Sequence, residues 1–501
     1  MGADGYLLGF DLGSSSMKAA LIDADTGLSV GSATSPKTEL AIEAKRPGWA
    51  EQDPEVWWEH IVAAAAMLKA ETGKAFQAVK GIGIAYQMHG LVLVDGADKV
   101  LRPSIIWCDS RAVEQGEKAF RGIGESTCLS RLLNSPGNFT ASKLAWVKEN
   151  EPDIFSRARS LLLPGDWLAL RMTGERTTTS SGLSECILWD FPRGRRADFV
   201  LDWFGFSPDL VPRLVPTFSL QGGLTAEAGA ALGLAKGTPV CYRAGDQPNN
   251  AFSLNVLDPG KAATTAGTSG VIYGIIDEPR FDPASRVNAF VHVNNSPGHA
   301  RYGVLMCVSG TGILYSWLRR LLVGETGAVP YDELNRVAGQ AAIGSDGLMV
   351  LPYGNGAERT LENRNPGASF LGLEFNRHGI PHMLRAAQEG IVFALQYGLG
   401  IMKGIGLDLK TVRAGHANMF RSPLFRDAFA TVTGTRVELF DTDGAQGAAR
   451  GAGVGAGLYA SPRDAFIGLR PVQIAEPDPS KSDAYARAYG VWKEALEKTL
   501  R

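Results

Sequence analysis

Two stretches roughly half a chain apart read alike, and this echo constrains the fold more than any other feature of the sequence. GFDLGSSSMKAALID (9–23) and KAATTAGTSGVIYGIID (261–277) each run strand, tight Gly-[Ser/Thr]-Ser turn, strand, Ile-Asp. A single such hairpin is commonplace, but a matched pair separated by half of a 501-residue chain points to a duplicated domain. A chain of this length exceeds what one hydrophobic core supports. Two related domains are expected, 1–252 and 253–501, with the junction just after Gly245-Asp246-Gln247.

The stretches between the hairpins alternate between strand and helix patterns. VKGIGIAYQ (79–87) and LVLVD (91–95) read as strands. Asp53-Pro54 opens a helix, with Asp as the cap and Pro at the first helical position. RSLLLPGDWLALRMTG (159–174) and VLMCVSGTGILYSWLRRLL (304–322) each pass from strand to helix. HGIPHMLRAAQEGIVFALQYGLGIMKGIG (378–406) is a long helix, and SPLFRDAFATVTG (422–434) is a helix stopped by Gly434. TRVELFDTDGAQGAARGAGVGAG (435–457) is a strand followed by a closely packed Gly/Ala helix, and the tail after 480 reads as a surface helix. This alternation predicts an α/β fold.

Charge and cysteine content narrow the partners. Fifty basic and 52 acidic residues leave a net charge of −2, which gives no global electrostatic grip on nucleic acid or an anionic membrane. No apolar run is long enough to span a bilayer, and the opening MGADGYLLGFDLG lacks the basic-then-apolar build of a secretory leader. Five scattered cysteines (108, 128, 186, 241 and 307) form neither a C-x-x-C pair nor an even set, which fits a reducing cytoplasm. A small molecule in a local pocket is the expected partner; the sequence does not set the oligomeric state, and a homodimer is one assembly it leaves open. Sixty glycines are well above the usual ~7%, and many fall where a strand enters a turn, where a backbone can approach a phosphate.

Five constellations carry candidate chemistry. Asp11 with Gly13, Ser14 and Ser15 places a carboxylate, backbone N–H groups and hydroxyls at a strand end, suited to phosphate and Mg²⁺ or to a plain polar hairpin. Lys18 just beyond it reaches either a phosphate or solvent. Gly267-Thr268-Ser269-Gly270 is its partner turn, and Gly310 sits in a further Gly turn. Asp246, at the end of the strand TPVCYRAGD, could accept a proton from a substrate hydroxyl or simply cap a helix. Gln87-Met88-His89-Gly90 could bind sugar hydroxyls, or its His could be purely structural. Trp107, Asp109 and Arg111 could line a polyol pocket or form a buried ion pair. Gly415-His416-Ala417-Asn418 is a strand-end turn that could lie against adenine or its ribose, or merely connect two elements.

Taken together, GFDLGSSSMK, GWAEQDPEVWW, GIGIAYQMHG, RPSIIWCDSR, LPGDWLALRMTGE, AGDQ, AGTSGV, LPYGNGAERT and DGAQGAARGAG resemble the FGGY carbohydrate kinases, and among them the xylulokinases, over residues 6–460. The resemblance implies two ribonuclease-H-like domains of the actin-like ATPase kind around a central cleft. It implies phosphorylation of the terminal hydroxyl of a ketopentose, most simply D-xylulose, by ATP with Mg²⁺. Ribulose, glycerol or gluconate are the alternative acceptors, and a non-catalytic sugar sensor is the alternative class. By the same resemblance Asp246 is the base, Asp11 lies near metal and phosphates, and both are candidate metal ligands. Met88 and His89, with Trp107, Asp109 and Gln247, belong to the sugar. Gly13, Ser14, Ser15, Lys18, Gly267, Thr268, Gly310, Gly415 and Asn418 belong to the nucleotide.

Overall fold

The computed structural model describes residues 5–324 and 329–501; residues 1–4, part of the opening stretch read above, lie outside it. Two compact units divide the chain. One takes in the chain up to Leu257 together with Phe290–Tyr302 and Thr442–Leu469. The other consists of Asp258–Ala289, Gly303–Asp441 and Arg470–Arg501.

The first unit is built on a sheet of Tyr6–Leu12 (β1), Met17–Asp23 (β2), Ser29–Ser35 (β3), Val79–Tyr86 (β4), Phe218–Gly223 (β5) and Pro239–Gly245 (β6). Their spatial order is β5-β6-β4-β1-β2-β3. β1 and β2 form the expected antiparallel hairpin, while β1, β4 and β6 run parallel. Parallel central strands must be covered on both faces, which is why β1 and β4 read as near-continuous apolar runs. One cover is the helix Pro54–Thr72, opened by the Asp53 carboxylate accepting from the Glu55 N–H, as the sequence predicts. Its buried face is Trp57, Ile61, Ala65 and Leu68. The other cover is the Gly/Ala helix Gly444–Gly455, which lies almost on the sheet backbone. A Cβ at Gly83 would stand 1.9 Å from the Ala448 carbonyl oxygen, and one at Gly9 would stand 1.8 Å from that of Ala445. Only glycine on the strands and small residues on the helix permit that approach.

The second unit repeats the plan. Lys261–Ala266 (β7), Gly270–Ile276 (β8), Tyr302–Val308 (β9), Thr411–Gly415 (β10), Arg436–Phe440 (β11) and Pro471–Ala475 (β12) lie in the order β9-β8-β7-β10-β11-β12. β7 and β8 are the antiparallel hairpin, and β7, β10 and β11 are parallel. The run β3-β2-β1-β4-β6 therefore matches β9-β8-β7-β10-β11 strand for strand, which is the duplication that the two turns foreshadow. The helix Ile380–Gly404 is largely interior, with 15 of its 25 residues buried. The terminal helix Pro479–Thr499 is more than a surface appendage: Tyr485, Trp492 and Leu496 are buried, and the Trp492 indole N–H donates to the Val350 carbonyl at 2.8 Å. Among the described residues no helix is long and apolar enough to cross a membrane.

Candidate active site

Parallel strands bring their carboxyl ends to one edge of a sheet, and that edge is where α/β proteins gather chemistry. In the first unit β1, β4 and β6 end there, followed respectively by the turn Gly13–Ser16, by Gln87-Met88-His89, and by Asp246 at the first position of the helix Asp246–Ser253. The start of the helix Gly444–Gly455 reaches the same edge, since a Cβ at Gly444 would stand 2.3 Å from an Asp11 carboxylate oxygen. The Asn249 side-chain amide donates to the Gly444 carbonyl at 2.9 Å, tying that helix to the one Asp246 opens.

Asp11 and Asp246 are thus half-buried acids that act on each other. Burial raises Asp11 from 3.8 to about 6, helped by Asp443 and opposed by Lys18. Lys18 pairs with Asp11 across the hairpin, which puts both side chains on one face. Burial, with the negative charge of Asp11, raises Asp246 from 3.8 to about 7 against the hydrogen bonds from Gln247, which lower it. Gln247 therefore attends the carboxylate through its donors, while its own amide oxygen is buried without a hydrogen-bond partner. The Gln87 amide oxygen is in the same condition. Unpartnered acceptors at the ends of neighbouring strands, one of them next to a carboxylate, suit the hydroxyl groups of a polyol.

The structure places Met88 against Gly245, the residue before Asp246: a Cβ there would lie 2.6 Å from the Met88 side chain. His89 follows in a left-handed conformation, φ 61. Trp107 is half-exposed, and its indole N–H donates to the Ser14 hydroxyl at 3.3 Å, linking the 106–109 loop to the Gly13–Ser15 turn. The Ser14 carbonyl also accepts from the Gln52 amide at 2.7 Å. Asp109 takes the second of its two sequence readings. It is fully buried, with its carboxylate engaged by Arg111 (2.6 Å) and by the Ala50 N–H (2.6 Å). Arg111 in turn stacks on Trp49 at 3.8 Å. Asp109 thus ties the 106–109 loop to the segment at Ala50.

Sequence reasoning misses two residues here. Glu185 is buried and accepts from the Tyr86 hydroxyl (2.7 Å) and the His89 N–H (3.2 Å); burial, with the charges of Asp166 and Asp246, holds its carboxyl well above the usual range. Lys143 is buried, its ammonium lowered to about 7 by desolvation. Charged residues in unremarkable runs such as SSGLSEC and TASKLAW read as surface, and no signal in the sequence marks them as interior.

In the second unit, three turns at the ends of β7, β9 and β10 interlock. The Gly267 carbonyl accepts from Gly312 N–H at 2.7 Å, and the Thr268 carbonyl accepts from the N–H groups of Thr311 and Ile313. A Cβ at Gly267 would lie 3.4 Å from the Asn418 amide nitrogen, so the Gly415–Asn418 turn stands next to the Gly267–Thr268 turn. Gly310 packs its α-carbon onto the Pro352 carbonyl, where a Cβ would come within 1.6 Å. A cavity of about 370 Å³ opens beside it, lined by Gly310, Leu314, Trp317, Pro352 and Phe370 among others. Its walls are mainly apolar, with Arg320 and Asn355 at its lining, and it adjoins the Gly310 turn.

Residues 6–253 match the N-terminal domain of the FGGY family of carbohydrate kinases, and residues 262–459 match its C-terminal domain. The chain belongs to the FGGY family of carbohydrate kinases. This carbohydrate kinase is 33% identical to a xylulose kinase of Escherichia coli (strain K12) over 502 residues, covering 98% of the chain and 99% of the relative. It is 30% identical, with a TM-score of 0.89, to the crystal structure of a xyloylose kinase from Brucella ovis, covering 98% and 99%. A gluconate kinase from Lactobacillus acidophilus superposes with the same TM-score of 0.89 at 22% identity, covering 99% and 98%; at that distance the likeness concerns the fold alone. The actin-like architecture is thus shared by kinases of different acceptors, and the acceptor of this kinase must be argued from its site.

Proposed function

We propose that this kinase transfers the terminal phosphoryl group of ATP to the terminal hydroxyl of a ketopentose, converting D-xylulose to D-xylulose 5-phosphate. The observation that carries the reading is Asp246: a carboxylate at a strand's carboxyl end, shifted to about 7, beside the Gln247 side chain, whose amide oxygen has unmet hydrogen-bonding capacity. The full-length similarity to xylulose kinases supports the choice of sugar.

The sugar lies in the first unit, against Met88, His89 and Trp107, with its hydroxyls donating to the Gln87 and Gln247 amide oxygens. Asp246 accepts a hydrogen bond from the terminal hydroxyl and takes its proton as the sugar oxygen bonds to the γ-phosphorus. The bond from that phosphorus to the bridging oxygen breaks, and ADP leaves with the electron pair. A carboxyl poised near 7 can both receive the proton and return it to solvent in the next cycle. The nucleotide lies in the second unit, its phosphates on the turns at Gly267-Thr268 and Gly310 and its nucleoside by Gly415 and Asn418. Hard oxygen donors suit Mg²⁺, which keeps most of its waters and takes one or two carboxylates besides phosphate oxygens; Asp11, with Asp246 alongside, fits that demand. Bound there, Mg²⁺ would neutralise phosphate charge. The five cysteines are free, and we place the reaction in the cytoplasm on that ground.

The test is ADP release with MgATP across D-xylulose, the ribuloses, glycerol and gluconate. D-Xylulose should give the highest kcat/KM. A clear preference for another acceptor overturns the choice of sugar, and ATP turnover without any sugar phosphate overturns the kinase reading of the site.

A further inference from the structure

We propose that Lys143 is a positioning residue for the sugar site, holding His89 in its left-handed conformation and fixing the Gln87–Gly90 turn to the 106–109 loop. The inference rests on the reading above that these two segments receive the sugar.

His89 is the point of departure. A non-glycine residue with φ 61 occupies a region that side chains rarely adopt, and such a conformation persists only where its surroundings over-determine it. Here three of its polar groups are held, the backbone N–H, the backbone carbonyl and the ring Nδ1. The backbone N–H donates to the Glu185 carboxylate at 3.2 Å, and the ring Nδ1–H donates to the Glu185 carbonyl at 3.1 Å. The backbone carbonyl accepts from the Lys143 Nζ at 2.7 Å. The imidazole packs edge-on against Phe139 at 4.6 Å, one residue before the helix Thr140–Asn150 that carries Lys143.

Lys143 has a second acceptor, the Ile106 carbonyl at 3.0 Å. Ile106 precedes Trp107, whose indole bonds to Ser14. One ammonium with no exposed surface therefore adds a side-chain bridge between two segments whose backbones already pair at Leu91 and Ile105, and Asp109 is the carboxylate bearing on its charge. Burying an ammonium is unfavourable unless its donors are used, and here both acceptors are carbonyls flanking candidate sugar contacts. Because a hydrogen bond shifted by a few tenths of an ångström alters how a polyol is met, the effect should appear on the sugar and not on the nucleotide.

The experiment compares steady-state kinetics of Lys143→Met, His89→Ala and the double variant, with D-xylulose and ATP varied separately and folding checked by circular dichroism and thermal melting. Lys143→Met should raise the D-xylulose KM about tenfold to hundredfold and leave the ATP KM within about twofold. Added to His89→Ala it should raise the sugar KM by less than about threefold more, since both act through one element. Lys143→Gln, which keeps two uncharged N–H donors, should fall between parent and methionine variant, and it carries the comparison if the methionine variant does not fold. An unchanged sugar KM in His89→Ala sinks the underlying reading of the site. A raised KM in His89→Ala with an unchanged KM in the Lys143 variants overturns the clamp alone. Fully multiplicative effects, or equal effects on both substrates, also overturn it, because they would make Lys143 a general core residue.

Discussion

Replacing Asp246 by asparagine should make the protein more stable at pH 8 while removing most of its activity. The amide keeps the shape of the side chain but has no charge to desolvate and none to oppose Asp11. In the parent, the folded state raises Asp246 from 3.8 to about 7, so folding favours the protonated form. The stability this group contributes is fully present below pH 3.8 and is lost as the pH rises through 7. At about 1.4 kcal/mol per pH unit, the ionised carboxylate costs at most about 4 kcal/mol at pH 8. Asp246 is half-buried and keeps part of its hydration, so about 1–3 kcal/mol is the expected gain for the variant. For a unit of this size each kcal/mol moves the midpoint by roughly 2–4 °C. The assay is thermal unfolding of Asp246→Asn and parent in metal-free, nucleotide-free buffer from pH 4 to 8. The variant should melt several degrees higher at pH 8, and the gap should close towards pH 4. A variant less stable than the parent at pH 8, or a gap independent of pH, would refute the argument that burial and Asp11 strain this carboxylate.

Other substitutions test other links. Gly83→Val would drive a side chain into the Ala448 carbonyl and should cost roughly 3 kcal/mol or prevent folding, seen as a lowered melting temperature. Arg111→Met strips the buried Asp109 carboxylate of its guanidinium, leaving it backbone N–H donors, and should cost about 3–5 kcal/mol in urea unfolding; a loss below about 1 kcal/mol would mean that those donors and the nearby Lys143 charge suffice for Asp109. Gly310→Ala must push the 309–311 turn off Pro352; the ATP KM should rise roughly tenfold or more with the sugar KM little changed, and an unaltered ATP KM would remove this turn from the nucleotide site.

Much of this architecture is legible in the sequence because it rests on short-range signals. The two hairpins are set by Gly-Ser turns between apolar runs, and the helix Pro54–Thr72 by its Asp-Pro opening. Asp246 stands out because it directly follows a strand. The return of Gly444–Gly455 to the first unit is not legible. It depends on Gly9 and Gly83 leaving room for Ala445 and Ala448, a complementarity between residues hundreds of positions apart. The sequence leaves Asp109 open between pocket and ion pair, and only the placement of Ala50 and Arg111 decides it. Lys143 and Glu185 stay hidden because the features that define them, burial and backbone partners, have no local signature. The acceptor sugar is hidden for another reason: superposition on kinases of different acceptors shows that the fold does not encode it.

The most direct measurement is single-substrate turnover of D-xylulose with MgATP by the parent and by Asp246→Asn, followed as ADP formed. If Asp246 receives the hydroxyl proton, kcat should fall by about 10²–10⁴-fold in a variant that folds normally. Turnover within a few-fold of the parent would take Asp246 out of the chemistry and contradict the account.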